Sequence, residues 1–305
     1  DGKWKVVIGS GFDKKGMIFL YSSDNLINWK YEGVLFEIEE NLGRMIECPD
    51  FFYLGEKSVL IFSVNEPEKQ VQGVFYCIGN IQNKRFIPER MEKVDFGTDY
   101  YAAQTFMNKE GRRIIIAWMQ HPTNEHIPTQ KEGWAGIMTL PREIVLSHDR
   151  LFFKPIKELE QLRRESLCSL KEVPIDSEEN LTLGKVQKNS FEVLGELEIF
   201  SKEASLLLYN EASESVKVNF KDEEVLIDTT KAGIGKGGKS SVKIGKRKRI
   251  MFRLFIDSSS MELFLNNEKV GSYRIYPCFI YNKIRFSGKL KVNSFEIYSL
   301  ENIWI

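Results

Sequence analysis

A single glutamate, Glu47, interrupts the segment RMIECPDFFYLG (44–55), whose other residues are typical of a buried strand. Glutamate is among the residues least often buried without a partner. Its carboxyl group is therefore either a structural feature, paired with a cation such as Arg44, or an acid whose protonation is altered by its surroundings. An acid of the second kind can donate a proton to a leaving group and later accept one from water. Asp50 either orients Glu47 or caps a turn.

A second polar stretch, DFGTDYYAAQTF (95–106), leads into another strand-like run. Asp95 and Asp99 are candidates for binding the hydroxyl groups of a ligand, although aspartate is equally common in turns. Tyr101 and Gln104 can also form hydrogen bonds with hydroxyl groups, or can serve the core. All four are therefore candidate binding residues, each with a structural alternative.

No residue pattern indicates a metal or a cofactor. The four cysteines are scattered without a C-x-x-C pair, which predicts free thiols rather than a disulfide framework or a zinc site. His121 and His126 are the one histidine pair with a spacing that metal ligands can have, but they flank a loop-like segment, and a solvated loop is the simpler interpretation. These residues therefore predict no metal site.

The charge balance limits the partners of the protein. The 305 residues contain 43 Lys and Arg and 43 Asp and Glu, so the formal net charge is zero. This balance argues against a nucleic-acid partner held by bulk electrostatics. The basic run KIGKRKRIMF (243–252) is short and opens a strand, where lysines commonly protect a sheet edge. No apolar run approaches the roughly 20 residues of a membrane span, so we predict no membrane partner, and the oligomeric state stays open.

Strands arranged in a repeat must position the candidate residues. The segments DGKWKVVIGS (1–10), LGEKSVLIFS (54–63) and KEGRRIIIAW (109–118) align at intervals of about fifty residues, with Ser10 matching Ser63. Each unit has turn signals between short strand-like runs. In the first complete unit we predict four strands, at roughly 47–54, 57–64, 71–79 and 84–94. Four strands per unit are typical of the blades of a β-propeller, and a meandering β-sandwich is the alternative.

The visible repeat is shorter than a closed propeller. About two and a half units can be aligned, whereas a ring needs at least four blades. The sequence also opens on Asp-Gly, a hairpin turn signal that no strand precedes. We therefore expect the chain to be a fragment that carries the later part of the ring. In a propeller the first strands of the blades line the central channel, which would place Glu47 and the 99–104 stretch at equivalent ends of neighbouring strands.

The second half of the chain predicts a different β domain. Longer segments of alternating polarity indicate a two-sheet sandwich. These segments span 190–200, 215–228, 249–266 and 289–300. The segment PIKELEQLRRE (155–165) is then a linker helix. The predicted domains are a partial propeller over 1–154, this linker, and a sandwich over 166–305.

Several motifs together resemble glycoside hydrolase family 32, the family of invertases, sucrose-6-phosphate hydrolases and fructanases. They are ECPD (47–50), DFGTDYYAAQTF (95–106), IAWM (116–119) and GWAGIMTLPRE (133–143), followed by RLFIDSSSMELFLNN (253–267) in the region of the predicted sandwich. The resemblance implies a five-bladed propeller followed by a β-sandwich. This chain would then hold the last two to three blades and the whole sandwich, an all-β fold.

The resemblance also implies a reaction, the retaining hydrolysis of a fructofuranosyl bond by double displacement without a metal or a cofactor. It makes Glu47 the general acid/base, whose protonated form is favoured by burial and by a neighbouring carboxylate. Trp134 is similar to the tryptophan that borders the fructose pocket, with core packing as the alternative. The N-D-P-N-G motif of the nucleophilic aspartate and the R-D-P motif of the stabilising aspartate do not occur in this sequence. We expect both to precede Asp1, and we expect this chain alone to be inactive.

The predicted substrate is a small carbohydrate: sucrose, sucrose 6-phosphate or a short fructo-oligosaccharide. The few cysteines favour a cytoplasmic protein. A non-catalytic carbohydrate-binding relative with the same fold is the alternative function.

Overall fold

A computed structural model of the chain describes residues 2–12, 15–39, 42–66, 71–119, 127–184 and 186–303. In these ranges it contains 23 β-strands and two short 3-10 helices. The predicted all-β fold class is therefore confirmed. No helix in the described ranges is both long and apolar enough to cross a bilayer.

The chain divides into two compact units. The first unit comprises residues 1–95, 100–123 and 141–152. The second comprises residues 96–99, 124–140 and 153–305. The chain therefore passes between the units more than once.

The first unit is built from three antiparallel sheets. The first sheet contains β1 (Trp4–Phe12), β2 (Lys15–Ser23) and β3 (Lys30–Glu37), in that order. The second sheet contains β4 (Glu47–Leu54), β5 (Lys57–Glu66), β6 (Val71–Gln82) and β7 (Arg85–Lys93), in that order. The third sheet contains β8 (Tyr101–Met107), β9 (Arg113–Trp118), β10 (Arg142–Ser147) and β11 (Arg150–Pro155), in that order, with the last residues of β11 assigned to the second unit.

These sheets have the organisation of propeller blades. The three repeated sequence segments fall on β1, β5 and β9, and β4 and β8 precede β5 and β9 as the first strands of their sheets. Strand β5 is a continuous run of buried residues, including Val59, Leu60 and Ile61, each 0% exposed. Both faces of β5 are therefore covered, as expected for an inner strand of stacked blades. The prediction of a partial propeller is confirmed, and the described residues do not close a ring.

The second unit is a β-sandwich of two six-stranded sheets. One sheet has the order β12-β23-β14-β19-β20-β21 and consists of β12 (Arg163–Ile175), β23 (Leu290–Leu300), β14 (Ser190–Ile199), β19 (Arg249–Asp257), β20 (Ser260–Leu265) and β21 (Lys269–Arg274). The other has the order β13-β22-β15-β16-β17-β18 and consists of β13 (Glu178–Thr182), β22 (Lys283–Ser287), β15 (Glu203–Tyr209), β16 (Ser215–Lys221), β17 (Glu224–Lys231) and β18 (Lys239–Lys243). The inward-facing residues of both sheets form one apolar core.

Two of the long strands predicted for the sandwich are wrong in detail. Segments 215–228 and 249–266 are hairpins rather than continuous strands. Asp222 and Ser258 adopt φ values of 41° and 50° in the tight turns. The apolar alternation continues across each turn because both strands of a hairpin pack on the same core, so alternation alone did not reveal the break.

The segment predicted to be a linker helix (155–165) contains a short 3-10 helix and no α-helix. Lys157–Leu162 forms a 3-10 helix with Leu159 buried, and β12 begins directly after it. A second 3-10 helix, Pro128–Glu132, ends at Gly133, whose φ is 85°.

A short segment of the second unit, 96–99, lies in sequence between strands of the first. The Phe96 amide donates to the Val270 carbonyl at 3.0 Å, and the Asp99 amide donates to the Ser272 carbonyl at 3.1 Å. A β-carbon on Gly97 would lie 2.1 Å from the Ser272 carbonyl oxygen. Only glycine allows this approach to β21.

Candidate functional site

Strand β4 begins with a β-bulge at the candidate acid. Glu47 pairs with Ser63 and Asp50 pairs with Ile61, so two residues of β4 face one residue of β5 between these pairs. Cys48, the first of the two, has a φ of 48°. Residues with a β-carbon seldom adopt this left-handed conformation, which costs roughly 1–2 kcal/mol. A bulge re-aims the neighbouring side chain, here that of Glu47.

Strand β8 begins with the same irregularity. Its register on β9 shifts between Tyr101 and Gln104, and Ala102 has a φ of 51°. The Ala102 amide donates a hydrogen bond of 3.1 Å to the hydroxyl oxygen of Ser63. Tyr101 therefore occupies in β8 the position that Glu47 occupies in β4.

The two bulges bring Glu47 and Tyr101 into contact. The Tyr101 hydroxyl donates a hydrogen bond to Oε2 of Glu47. Tyr101 is 3% exposed. Burial, the hydrogen bond to Glu47 and the charge of Glu47 raise the pKa of Tyr101, so that its hydroxyl keeps its proton and acts as the donor. Burial, followed by the charge of Glu47, also raises the pKa of the adjacent Cys48 thiol.

Two further hydrogen bonds join the edges of β4 and β8. The Thr105 amide donates to Oδ2 of Asp50 at 2.7 Å. The Gln104 side-chain amide donates to the Cys48 carbonyl at 3.1 Å. Asp50 and Gln104 thus hold the two bulges side by side, which is a positioning role in this structure.

The ion-pair alternative for Glu47 is not realised. Among the described residues, neither Arg44 nor any other cation forms an ion pair with the Glu47 carboxylate, whose hydrogen-bond donor is Tyr101. The Arg44 amide instead donates to the carboxylate of Glu66 at 2.6 Å. Glu47 is half-buried and is thus an acid held by a neutral partner.

Asp95 lies in a buried ion pair. Its Oδ2 atom is 2.8 Å from Nη1 of Arg142, and the two side chains are 1% and 0% exposed. The Arg142 guanidinium also lies over the Tyr100 ring, 4.7 Å from its centre. This environment provides Asp95 with a scaffold role, since a closed and charge-paired carboxylate is poorly placed to meet a ligand hydroxyl.

Asp99 and Trp134 belong to the second unit. Asp99 accepts hydrogen bonds from Nε of Arg274 at 2.6 Å and from the Arg274 amide at 3.1 Å. Trp134 follows the 3-10 helix Pro128–Glu132 and is 40% exposed. Within the first unit, the structure brings together Glu47, Asp50, Tyr101 and Gln104.

Sequence analysis missed Ser63 as part of this cluster. Its hydroxyl accepts the Ala102 amide and so joins β5 to β8. The match between Ser63 and Ser10 in the sequence repeat was a signal that the serine at this position has a structural role. His121 and His126, the pair considered as metal ligands, lie outside the described residues.

Relatives of known activity resemble this chain over almost all of its length. A sucrose-6-phosphate hydrolase of Zymomonas mobilis is 30% identical over 331 residues, covering 99% of this chain and 63% of that protein. A raffinose invertase of Escherichia coli is 32% identical, covering 91% of this chain and 60% of that protein. The chain therefore spans less than two thirds of the length of these curated relatives.

Solved structures have the same fold. The sucrose-6-phosphate hydrolase of Lactobacillus gasseri matches with a TM-score of 0.84 at 24% identity, covering 99% of this chain and 64% of that one. The family 32 beta-fructofuranosidase of Bombyx mori matches with a TM-score of 0.79 at 27% identity, with the same coverage.

Protein-family models match both halves of the sequence. The N-terminal domain of glycosyl hydrolases family 32 matches residues 1–155, and the C-terminal domain of the same family matches residues 158–299. Together with the relatives above, these matches show that the chain belongs to glycosyl hydrolase family 32.

Proposed function

We propose that this chain is part of a retaining β-fructofuranosidase that hydrolyses sucrose or sucrose 6-phosphate, with Glu47 as its general acid/base. The observation that carries this proposal is the hydrogen bond between Tyr101 and Glu47 at two equivalent bulges. The substrate class is supported by relatives named sucrose-6-phosphate hydrolase and by a Bombyx mori enzyme solved in complex with sucrose.

In the proposed first step, Glu47 donates its proton to the glycosidic oxygen while a nucleophilic carboxylate bonds to the anomeric carbon of fructose. The bond to the leaving sugar breaks, and the sugar departs with the proton. In the second step the Glu47 carboxylate takes a proton from water, whose oxygen displaces the enzyme carboxylate from fructose. We assign the nucleophilic and stabilising aspartates to the part of the relatives' length that this chain does not span.

The substitution Glu47→Gln tests the assignment in the complete reading frame to which this sequence belongs. The amide keeps the shape of the side chain but cannot donate the proton, so we expect kcat on sucrose and on sucrose 6-phosphate to fall by about 100- to 10,000-fold. KM should change little, because the lost interaction belongs to the transition state.

Glu56→Gln is the matched control. Glu56 lies in the exposed turn between β4 and β5, and its variant should keep the original kcat. Near-original turnover in the Glu47 variant would refute the proposed role, and activity on neither sugar in the unmodified protein would refute the substrate class.

A further inference from the structure

A cleft of about 550 Å³ opens in the sandwich unit, at a place that none of the predicted site residues lines. It lies where β14 ends, where β16 turns into β17, and where the loop before β19 passes. Its volume falls within the range of about 300–1,000 Å³ that is typical of sites for small ligands.

The cleft has an apolar floor. The half-buried Ile199, at the end of β14, contributes its accessible surface. Phe220 and Ile250 lie behind it in the core, each 2% exposed. An apolar floor of this kind can accept the carbon-bound hydrogens on one face of a sugar ring.

Cations surround the floor. Lys246, Arg247 and Lys248 line the cleft from the loop before β19, and Lys221 lines it from the end of β16. Arg247 is fixed by two hydrogen bonds of 3.2 Å to Glu268. The exposed Lys246 and Lys248 form no ion pair with any of the described residues. Two ammonium groups are therefore available to an anion.

The backbone that carries these cations is anchored. The Ile244 amide donates to the Glu223 carbonyl at 2.7 Å, and the Ile199 amide donates to the Lys248 carbonyl at 2.9 Å. The loop is thus tied at both ends, before Lys246 and at Lys248. Binding at this place would cost less ordering of the backbone than binding to a free loop.

Carboxylates complete the lining. Asp222 and Glu223, in the turn between β16 and β17, are exposed and face the same cleft. Carboxylate oxygens accept hydrogen bonds from sugar hydroxyl groups. They also disfavour a long polyanion such as a nucleic acid, because its charge would extend past the lysines toward them.

We propose that this cleft binds a hexose phosphate. Lys246 and Lys248 hold the phosphate group, the turn carboxylates bind ring hydroxyls, and the ring lies against Ile199. Lysine ammonium groups bind phosphate as point charges. The basic run 243–252, which sequence analysis assigned to a solvated strand edge, thereby contributes to a binding site. The site is separate from the Glu47 cluster and does not depend on its role.

Calorimetric titration of the 305-residue chain with glucose 6-phosphate tests the proposal. We expect saturable binding, and we expect the double variant Lys246→Ser, Lys248→Ser to weaken it by about tenfold or more, since two charge-assisted contacts are lost. Lys243→Ser is the matched control: this lysine is exposed on β18, close in sequence, and outside the lining. It should leave the affinity unchanged.

Two further titrations test the sugar and the phosphate parts of the ligand separately. Glucose and inorganic phosphate, titrated alone, should each bind more weakly than glucose 6-phosphate. Equal binding of inorganic phosphate would overturn the sugar part of the proposal. Unchanged affinity in the double lysine variant would overturn the site itself. Because Glu47→Gln should leave this titration unchanged, the proposed catalytic function and this site can fail independently.

Discussion

At the scale of single residues, the Tyr101 hydroxyl determines how the Glu47 carboxyl group is presented. It occupies Oε2, and none of the described residues hydrogen-bonds Oε1, the atom that the proposed role would direct at the oxygen of a substrate. A tyrosine is suited to this task because it donates without carrying a competing charge. Its raised pKa, caused first by burial, keeps the donor protonated over the range in which a glycosidase works.

In the complete reading frame, Tyr101→Phe should therefore weaken the proposed catalysis without unfolding the protein. The ring keeps its packing, but the acid loses a hydrogen bond to a charged group, worth roughly 1.5–3 kcal/mol, so kcat should fall by about tenfold to 100-fold. KM should change little, because the lost contact is made to the acid and not to the substrate.

Tyr53→Phe provides the control for Tyr101. Tyr53 lies on the same strand as Glu47 and is 64% exposed, so its variant should retain kcat. A Tyr101 variant that keeps the original kcat would show that the hydroxyl does not act through Glu47.

The ion pair of Asp95 could not be predicted from its residue type and its position in the sequence. Its type and position fitted a turn or a ligand contact equally well. The structure instead pairs it with Arg142, which is 47 residues away in sequence and buried on β10. A buried ion pair between distant residues leaves no local pattern, because neither partner's neighbours indicate the other.

At the scale of elements, the sequence predicted the strands but not the irregularity that forms the site. Strand β4 was predicted at 47–54 and is found there, since turn signals and alternation mark its ends. The bulges were not predicted, because Cys48 and Ala102 adopt a left-handed backbone that their residue types do not favour. Tertiary hydrogen bonds, such as that from Ala102 to Ser63, hold this conformation.

Ala102→Gly tests whether the bulge stores strain. Glycine adopts a φ of 51° without a steric cost, so the free energy of unfolding of the first unit should rise by about 0.5–1 kcal/mol despite the greater freedom of the unfolded chain. Chemical denaturation measures this change. Ala103→Gly is the control, because Ala103 is 1% exposed and has no left-handed φ; it should lose stability. Equal losses of stability in both variants would show that the backbone at Ala102 is not strained.

At the scale of the whole molecule, several buried groups make the fold sensitive to alkali. Burial raises the pKa of Tyr76 and of Cys77 in the first unit, that of Cys77 to about 12. Burial also raises the pKa of Tyr101 in the first unit and of Tyr281 in the second. Each group binds its proton more tightly in the folded state than in the unfolded state. Its contribution to the free energy of unfolding is therefore complete at pH values below its pKa in the unfolded chain, which is roughly 8.5 for cysteine and 10 for tyrosine.

The stability of both units should therefore fall as pH rises from about 9 to 12, by about 1.4 kcal/mol per pH unit for each proton held only in the folded state. Denaturant unfolding at pH 7, 9 and 10.5 measures the midpoint of each transition. Tyr281→Phe removes one such group from the sandwich, with the loss of its 2.7 Å hydrogen bond to the Ala232 carbonyl. This variant should be less stable at pH 7, yet the sandwich transition should depend less steeply on pH, while the transition of the first unit is unchanged. Midpoints that stay constant to pH 10.5 would contradict the role of these buried protons.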